Sequence, residues 1–270
     1  MHGFVIAGAA RRLLLAAGFA WATLLAHAAH AQAGPPFLTN DPGSPGNTNW
    51  EINVAVAPTL TRAGGAYQAP QLDFNYGLGE RIQLTYEIPY EFVANAGEPR
   101  QSGWSNPFWG VKWRFLDQGE DGWRASLFPQ IEQGGTLREQ VAGIAGPGPR
   151  YLLPVEVAKK IGSFDVDFEI GEYIPKRGPH ERIMGFVAGR SINERLELDV
   201  ELYDDRAQGS EPRQTTLDIG GRYKLHPGII ALFMAGRSVG AGGPESTQFF
   251  GYFGVQILLT NYGLALNRSE

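Results

Sequence analysis

The sequence predicts an all-β fold, an antiparallel up-and-down transmembrane β-barrel of about twelve strands that follows a cleaved signal peptide. Three observations favour this fold: an export signal, an alternation of apolar and polar residues with period two, and connections that are alternately short and long. Together they indicate a chain that is exported and then crosses a membrane with strands.

The export signal occupies the first residues of the chain. Arg11 and Arg12 precede an apolar run, Leu13 to Leu25, and small residues follow it, which is the order of a secretory signal peptide. The run has about 13 residues, whereas a spanning helix needs about 20, so a membrane anchor is disfavoured. Cleavage after Ala33, or after Ala31, fits the rule of small residues, and residues 1–33 are predicted to be removed.

Composition excludes several classes of function. The chain has no cysteine, so it can contain neither disulfides nor thiolate metal sites. Removing the signal removes two arginines and no acidic residue, which takes the formal net charge from −5 to −7 and leaves no basic patch for nucleic acid. Only His180 and His226 remain after cleavage, and their separation does not suggest a metal site. We therefore predict no cofactor and no metal.

Three regions follow the signal. Residues 34–49, here called the lead-in segment, are rich in Pro, Gly and Asn and are predicted to be irregular. Two arrangements stay open for this segment: a plug inside the barrel, or a disordered leader in the periplasm. The barrel is predicted over residues 50–260, and residues 261–270 form a C-terminal tail.

Alternation marks the strands. Ile82, Leu84 and Tyr86 lie on one face of a predicted strand, while Gln83 and Thr85 lie on the other. About twelve segments of this kind occur, near residues 50–60, 69–77, 80–92, 106–116, 122–133, 150–160, 163–174, 181–191, 194–204, 214–224, 228–238 and 247–259. Their lengths suit a tilted strand that crosses a bilayer in about 9–11 residues.

The connections between these segments are alternately short and long along the chain. Short turns are predicted at 77–79, 118–120, 161–162, 193 and 226–227, and long loops at 62–68, 94–105, 134–149, 175–180, 205–213 and 240–246. This asymmetry is typical of bacterial outer-membrane barrels, whose long loops face outward, and it places both termini in the periplasm. A soluble β-sandwich or a lipocalin-like barrel also alternates, but with the apolar face inward.

Aromatic residues near strand ends favour the membrane version, because such rings sit at the membrane interface. They are Trp50, Tyr76, Tyr90, Trp104, Trp109, Trp123, Tyr151, Tyr173, Tyr203 and Tyr223. The segment Tyr252–Leu259 resembles the C-terminal insertion signal of barrel proteins, although the tail follows it. The expected partners are therefore outer-membrane lipid and the barrel-assembly machinery, and the oligomeric state stays open.

Two segments carry a family resemblance. Pro36–Gly43, followed by Asn49–Asn53, resembles the opening of the MetA-pathway of phenol degradation family of outer-membrane proteins, with Asn40 in place of an Asp. Gly110–Phe115 is similar to that family's Gly-x-Lys-Tyr-Arg-Phe strand, with Trp113 in place of Tyr. The resemblance implies a transporter-like outer-membrane barrel. Only the family's name suggests aromatic or hydrophobic solutes.

If the apolar faces meet lipid, the charged faces line the lumen and control what passes. The candidate solute-path residues are Glu87, a basic wall and an acidic wall. The basic wall consists of Lys112, Arg114 and Arg124, and the acidic wall of Asp165, Asp167, Glu169, Glu197, Asp199 and Glu201. The predicted function is a passive outer-membrane channel for small organic solutes. The alternative is a structural or interaction barrel whose lumen is filled by such charges.

An enzyme is not predicted, although one motif allows the hypothesis. Gly236–Gly240 matches the Gly-x-Ser-x-Gly pattern around Ser238, whose chemistry requires a sharp turn between a strand and a helix. His180 and His226 are the only imidazoles that could serve as its base. No helix is predicted after Ser238, so a serine hydrolase is the least favoured alternative.

Overall fold

The computed structural model describes residues 34–95, 97, 99–119, 121–207, 214–239, 246–260 and 263–264. The predicted signal peptide, with its cleavage site, and most of the predicted C-terminal tail lie outside these residues. No helix in the described part of the chain has the length and apolar character needed to cross a membrane.

The described residues form a closed antiparallel barrel of twelve strands. The strands are β1 (Trp50–Leu60), β2 (Gly64–Leu78), β3 (Ile82–Asn95), β4 (Gln101–Trp104), β5 (Phe108–Asp117), β6 (Trp123–Leu127), β7 (Gln130–Glu132), β8 (Arg150–Leu152), β9 (Val155–Ile161), β10 (Phe164–Pro175), β11 (Glu181–Ser191), β12 (Leu196–Ala207), β13 (Gln214–His226), β14 (Ile229–Val239), β15 (Phe249–Thr260) and β16 (Gly263–Leu264). The pairing of β1 with β15, from Trp50 opposite Leu259 to Leu60 opposite Phe249, closes the barrel. Closure leaves no open sheet edge, as a membrane requires.

Three positions in the barrel wall hold two short strands in place of one long strand. The pairs are β4 with β5, β6 with β7, and β8 with β9, and each break contains a proline: Pro107, Pro129 or Pro154. Proline has no N–H to donate to a ladder, so it interrupts pairing. These breaks explain how sixteen strands make a twelve-strand wall, with β16 only a short hairpin arm on β15.

Two predicted loops are wrong in extent. The predicted loop 94–105 contains the end of β3, up to Asn95, and the whole of β4 (Gln101–Trp104). Residues 62–68 were expected to be a long connection, but β2 begins at Gly64 and pairs with β3 up to Asn95. The connection between β1 and β2 is therefore only residues 61–63. Its glycine and polar residues hid the strand, because cross-strand pairing with β3 overrides their weak intrinsic preference.

The side-chain polarity is that of a membrane barrel. On β12, Glu197, Asp199 and Glu201 are at most 5% exposed, whereas Val200 and Leu202 are 45% and 47% exposed. On β3, Gln83 and Thr85 are buried while Leu84 is 41% exposed. Polar faces thus point inward and apolar faces outward, which is the reverse of a soluble sandwich or lipocalin-like barrel.

The longest described loop between strands, residues 133–149, carries a short helix, α1 (Leu137–Val141). Thr136 caps it in a reciprocal arrangement with Glu139. The same loop places Ile144 against Gly103 of β4, and Ser105 Oγ donates to Ile144 O at 2.6 Å. The loop therefore packs back onto the inner side of the barrel mouth.

The apolar core lies inside the barrel, on the side of β11, β14 and β15. It consists of Phe37, Ala55, Val187, Leu232, Met234, Phe250 and Tyr252. Phe37 belongs to the lead-in segment, so this segment supplies part of the core of the barrel that follows it.

Candidate functional site

The lead-in segment lies inside the barrel and is bound there by two glutamates. Glu201 of β12 accepts hydrogen bonds from the backbone N–H groups of Leu38, at 3.1 Å, and Thr39, at 2.6 Å. Glu169 of β10 accepts from the backbone N–H of Asn40 at 2.8 Å and from its side-chain amide at 3.3 Å. Hydrogen bonds to ionised carboxylates are among the stronger ones, at about 1.5–3 kcal/mol each.

Two cationic side chains donate hydrogen bonds to backbone carbonyl oxygens of the same segment. Lys112 Nζ donates to Asp41 O at 2.5 Å. Arg222 of β13 donates to Gly34 O at 3.2 Å and to Pro35 O at 2.8 Å. The segment is thus held through its main chain, by acceptors at its N–H groups and by donors at its carbonyls.

Two residues of the predicted basic wall, Lys112 and Arg114, form ion pairs with nearby carboxylates. Lys112 forms an ion pair with Glu156 of β9 at 3.3 Å, and both side chains are buried. Arg114 pairs with Asp117 at 3.3 Å and donates to Glu80 O at the turn between β2 and β3. The lead-in segment lies between these basic residues and the acidic wall, and Lys112 is paired with its own neighbour, so an action of the two walls on a solute stays a prediction.

The residues of the predicted acidic wall have different partners. Glu169 and Glu201 bind the lead-in segment, and Glu197 forms an ion pair with Arg222 at 3.1 Å. Asp165, Asp167 and Asp199 are inward and at most 5% exposed. Arg124 is half-buried on β6, and its Nε has no hydrogen-bond partner among the described residues. Whether any of these residues contacts a solute stays a prediction.

Open space remains in the lumen beside the lead-in segment. A cavity of about 570 Å³, here called the side cavity, is lined by the lead-in segment and mainly by the inner faces of β1, β2, β3 and β15, with further residues from β5, β10, β12 and β13. Of the predicted residues, only Glu87, Lys112 and Glu169 line it. Its wall also contains Glu51, Gln71, Asp73, Phe250 and Tyr252, which the sequence reasoning did not select.

A signal for the missed residues exists in the sequence. Glu51, Asn53, Asp73 and Asn75 occupy alternate positions of β1 and β2, which is the same pattern that drew attention to the acidic wall. The apolar part of the lumen has a signal as well, because β14 carries apolar residues on both of its faces around Ile229–Met234. The binding of the lead-in segment by Glu169 and Glu201 has no such signal, because backbone N–H groups leave no trace in a sequence pattern.

The prediction of a position at the membrane interface is wrong for two of the aromatic residues. Tyr173 and Tyr203 line the side cavity, because they share the inward parity of Glu169 and Glu201 on their strands. Trp50, Trp104, Trp109, Trp123 and Tyr151 are 41–48% exposed on the outer surface, as rings at a membrane interface would be.

The hydrolase motif does not form a nucleophile elbow. Ser238 lies within β14, where its backbone N–H donates to Thr247 O at 2.9 Å. His180 Nδ1 lies 3.1 Å from Glu172 Oε1. His226 is the last residue of β13, next to the short turn that leads to β14. A strand position does not present the serine on the sharp turn that the mechanism needs.

Metal chemistry finds no support in the side chains either. Among the described residues, no group of three or more His, Asp or Glu side chains is arranged to hold a metal ion.

No protein-family model and no curated protein matches the chain. Solved structures do match. The COG4313 outer membrane channel from Pseudomonas putida F1 has a TM-score of 0.65 at 10% identity, covering 81% of this chain and 98% of that one. The NanC porin matches with a TM-score of 0.56 at 9% identity, covering 77% and 98%, and the KdgM porin with 0.53 at 10%, covering 76% and 98%. At such identities the likeness establishes the fold, a porin-like barrel, while the resemblance to the phenol degradation family stays a prediction.

Proposed function

We propose that the protein is a passive channel of a bacterial outer membrane for small organic solutes, and that the side cavity is its path. The observation that supports this most directly is the cavity itself, about 570 Å³ of space left in the lumen beside the lead-in segment. Cavities of roughly 300–1,000 Å³ suit small organic molecules. The channel-like neighbours and the outward apolar surface support the location.

The lining of the side cavity suits an amphipathic solute. Glu51, Asp73 and Glu87 supply charge, and Phe37 and Tyr252 supply apolar surface in the same cavity. A solute with both polar and apolar parts can contact both without leaving either unsatisfied. Aromatic or hydrophobic solutes, which the family resemblance suggests, are compatible with the apolar side only if they also carry a polar group.

The lead-in segment sets the width of the proposed path. Its main chain makes hydrogen bonds with four inward side chains, Lys112, Glu169, Glu201 and Arg222. A segment held at so many points acts as a fixed constriction rather than as a mobile leader. We therefore propose that it restricts the channel to solutes that fit beside it.

Planar-bilayer recording tests the proposal with a matched pair of variants. Ala57 lines the side cavity, so Ala57→Trp should lower the single-channel conductance severalfold by filling the path. Ala231 lies on the outward face of β14, so Ala231→Trp adds the same ring on the lipid side and should leave the conductance unchanged. A correctly inserted wild-type barrel that never conducts, or equal effects of the two variants, would contradict a path through the side cavity.

The second candidate function is a barrel that does not transport. The specific observation in its favour is the lead-in segment, which closes the acidic side of the lumen. Such a protein would have a structural or interaction role in the envelope. A stable, folded barrel with no ion current and no solute entry into liposomes would select this alternative.

A further inference from the structure

Three carboxylates of the side cavity lie on three adjacent strands. Asp73 of β2 and Glu87 of β3 are direct cross-strand partners, and like charges in that position destabilise a sheet. Asn53 of β1 links the third member, since its side-chain amide lies 3.2 Å from Glu51 Oε1 and 2.8 Å from Asp73 Oδ2. The chain thus concentrates negative charge on one wall of the cavity, where an uncharged arrangement would be more stable.

This charge has only amide partners within the described part of the chain. Asn75 Nδ2 donates to Asp73 Oδ2 at 2.9 Å, and Gln71 Nε2 donates to Glu87 Oε1 at 2.8 Å. No lysine or arginine among the described residues forms an ion pair with Glu51, Asp73 or Glu87. The two cations that also line the cavity are paired elsewhere, Lys112 with Glu156 and Arg222 with Glu197.

Unsatisfied atoms in the same wall point to the kind of partner that is missing. Asp73 is only 5% exposed, and its Oδ1 has no hydrogen-bond partner. Gln71 Oε1 is likewise buried without a partner. Both atoms are acceptors, and a buried acceptor without a donor costs roughly 1–3 kcal/mol. A ligand that satisfies this wall must donate hydrogen bonds and carry positive charge.

Aromatic rings lie beside these carboxylates, on the strand that pairs with β1. Phe250 and Tyr252 of β15 are 8% and 6% exposed and line the same space. Phe37 of the lead-in segment packs in one cluster with them. Aromatic faces attract cations and also bury apolar groups, so they suit the body of an organic cation.

We propose that the side cavity is a binding site for organic ammonium ions. The ammonium group lies among Glu51, Asp73 and Glu87, and the apolar body lies against Phe250 and Tyr252. This inference rests on the proposed function and gives the channel its solute class, small amphipathic amines. The lack of a metal-binding arrangement among the described residues favours an organic cation over a coordinated metal ion.

Binding to the purified full chain in detergent tests the site without any need for conduction. The probes are 2-phenylethylammonium, phenylacetate and 2-phenylethanol, three molecules of similar shape that are positive, negative and neutral. Isothermal titration calorimetry should show binding of the ammonium and at least tenfold weaker binding of the other two. The double variant Asp73→Asn, Glu87→Gln should weaken ammonium binding by a further factor of ten or more, whereas Glu194→Gln, in an exposed turn, should not.

Ion selectivity in a planar bilayer supplies the second readout. Under a KCl gradient the wild-type channel should pass K⁺ severalfold better than Cl⁻, and the double variant should conduct with nearly equal permeabilities. Phenylacetate binding as tight as ammonium binding, or a double variant that binds the ammonium like the wild type, would overturn the inference. Ammonium binding without any ion current would contradict the channel function but would still support the binding site.

Discussion

Gly185 of β11 and Gly77 of β2 mark the points where the lead-in segment meets the inner wall most closely. A Cβ atom at 185 would lie 2.0 Å from Thr39 Oγ1, and one at 77 would lie 1.8 Å from Gly46 O. No side chain fits at either distance, because contacts this short overlap the atoms. At Gly77 the backbone also exchanges hydrogen bonds with Thr48 and Asn49, at 2.8 and 2.9 Å. These glycines are needed for close approach of two chain segments.

The variant Gly185→Val tests this contact. The added side chain should displace Thr39 and weaken its hydrogen bond to Glu201, at a cost of about 1.5–3 kcal/mol for a bond to a charged group. We expect more frequent openings and a higher mean conductance in bilayer recordings. Ala188→Val, on the outward face of the same strand, is the control and should behave like the wild type. Unaltered currents in Gly185→Val would show that Thr39 does not limit the path.

At the scale of elements, the lead-in segment is the part of the chain that determines how much of the lumen is open. It carries no regular secondary structure, yet Pro36, Thr39 and Pro42 are fully buried by the barrel around them. Its order comes from charged side chains on β5, β10, β12 and β13 that bind its backbone. An irregular segment can be well fixed when its backbone groups are satisfied in this way.

Removing this element should open the acidic side of the lumen. Deletion of residues 35–43 leaves Gly34 after the predicted cleavage site and frees Glu169 and Glu201 to be hydrated. We expect a conductance several times that of the wild type and a lower thermal stability, because Phe37 is lost from the apolar core. Deletion of residues 137–143 in the outer loop is the comparison and should alter the stability of the barrel less. Equal conductance of the first deletion and the wild type would contradict the role of the segment as a constriction.

The strands could be predicted from the sequence because their two faces differ in polarity. Alternation located twelve wall positions, and short turns at glycine or asparagine fixed their order. The proline breaks within three of these positions were not predicted. At Pro129 and Pro154 the inward parity continues across the break, whereas between β4 and β5 it shifts by one residue, because Trp104 and Trp109 both face outward. The site was predicted less well. Inward charge could be read from parity, but which charges bind the lead-in segment and which face open space depends on contacts between residues more than 100 positions apart.

At the scale of the whole molecule, the barrel separates three environments. Its outer surface is apolar, the lead-in segment fills part of its lumen, and the side cavity occupies space beside that segment. Closure of the sheet between β1 and β15 satisfies the backbone groups of both strands, so the wall can lie in lipid. On the proposed path, a solute passes between the segment and the wall to which β1, β2, β3 and β15 contribute most residues.

Cysteine modification tests this path most directly, because the chain has no cysteine of its own. Single variants Ala57→Cys, in the side cavity, and Val187→Cys, in the core beside the lead-in segment, would be recorded in bilayers before and after addition of a water-soluble methanethiosulfonate reagent. The account predicts rapid loss of most of the current in Ala57→Cys and little change in Val187→Cys, which is 1% exposed. Loss of current in Val187→Cys with an unaffected Ala57→Cys would contradict it, since ions would then pass where the lead-in segment lies.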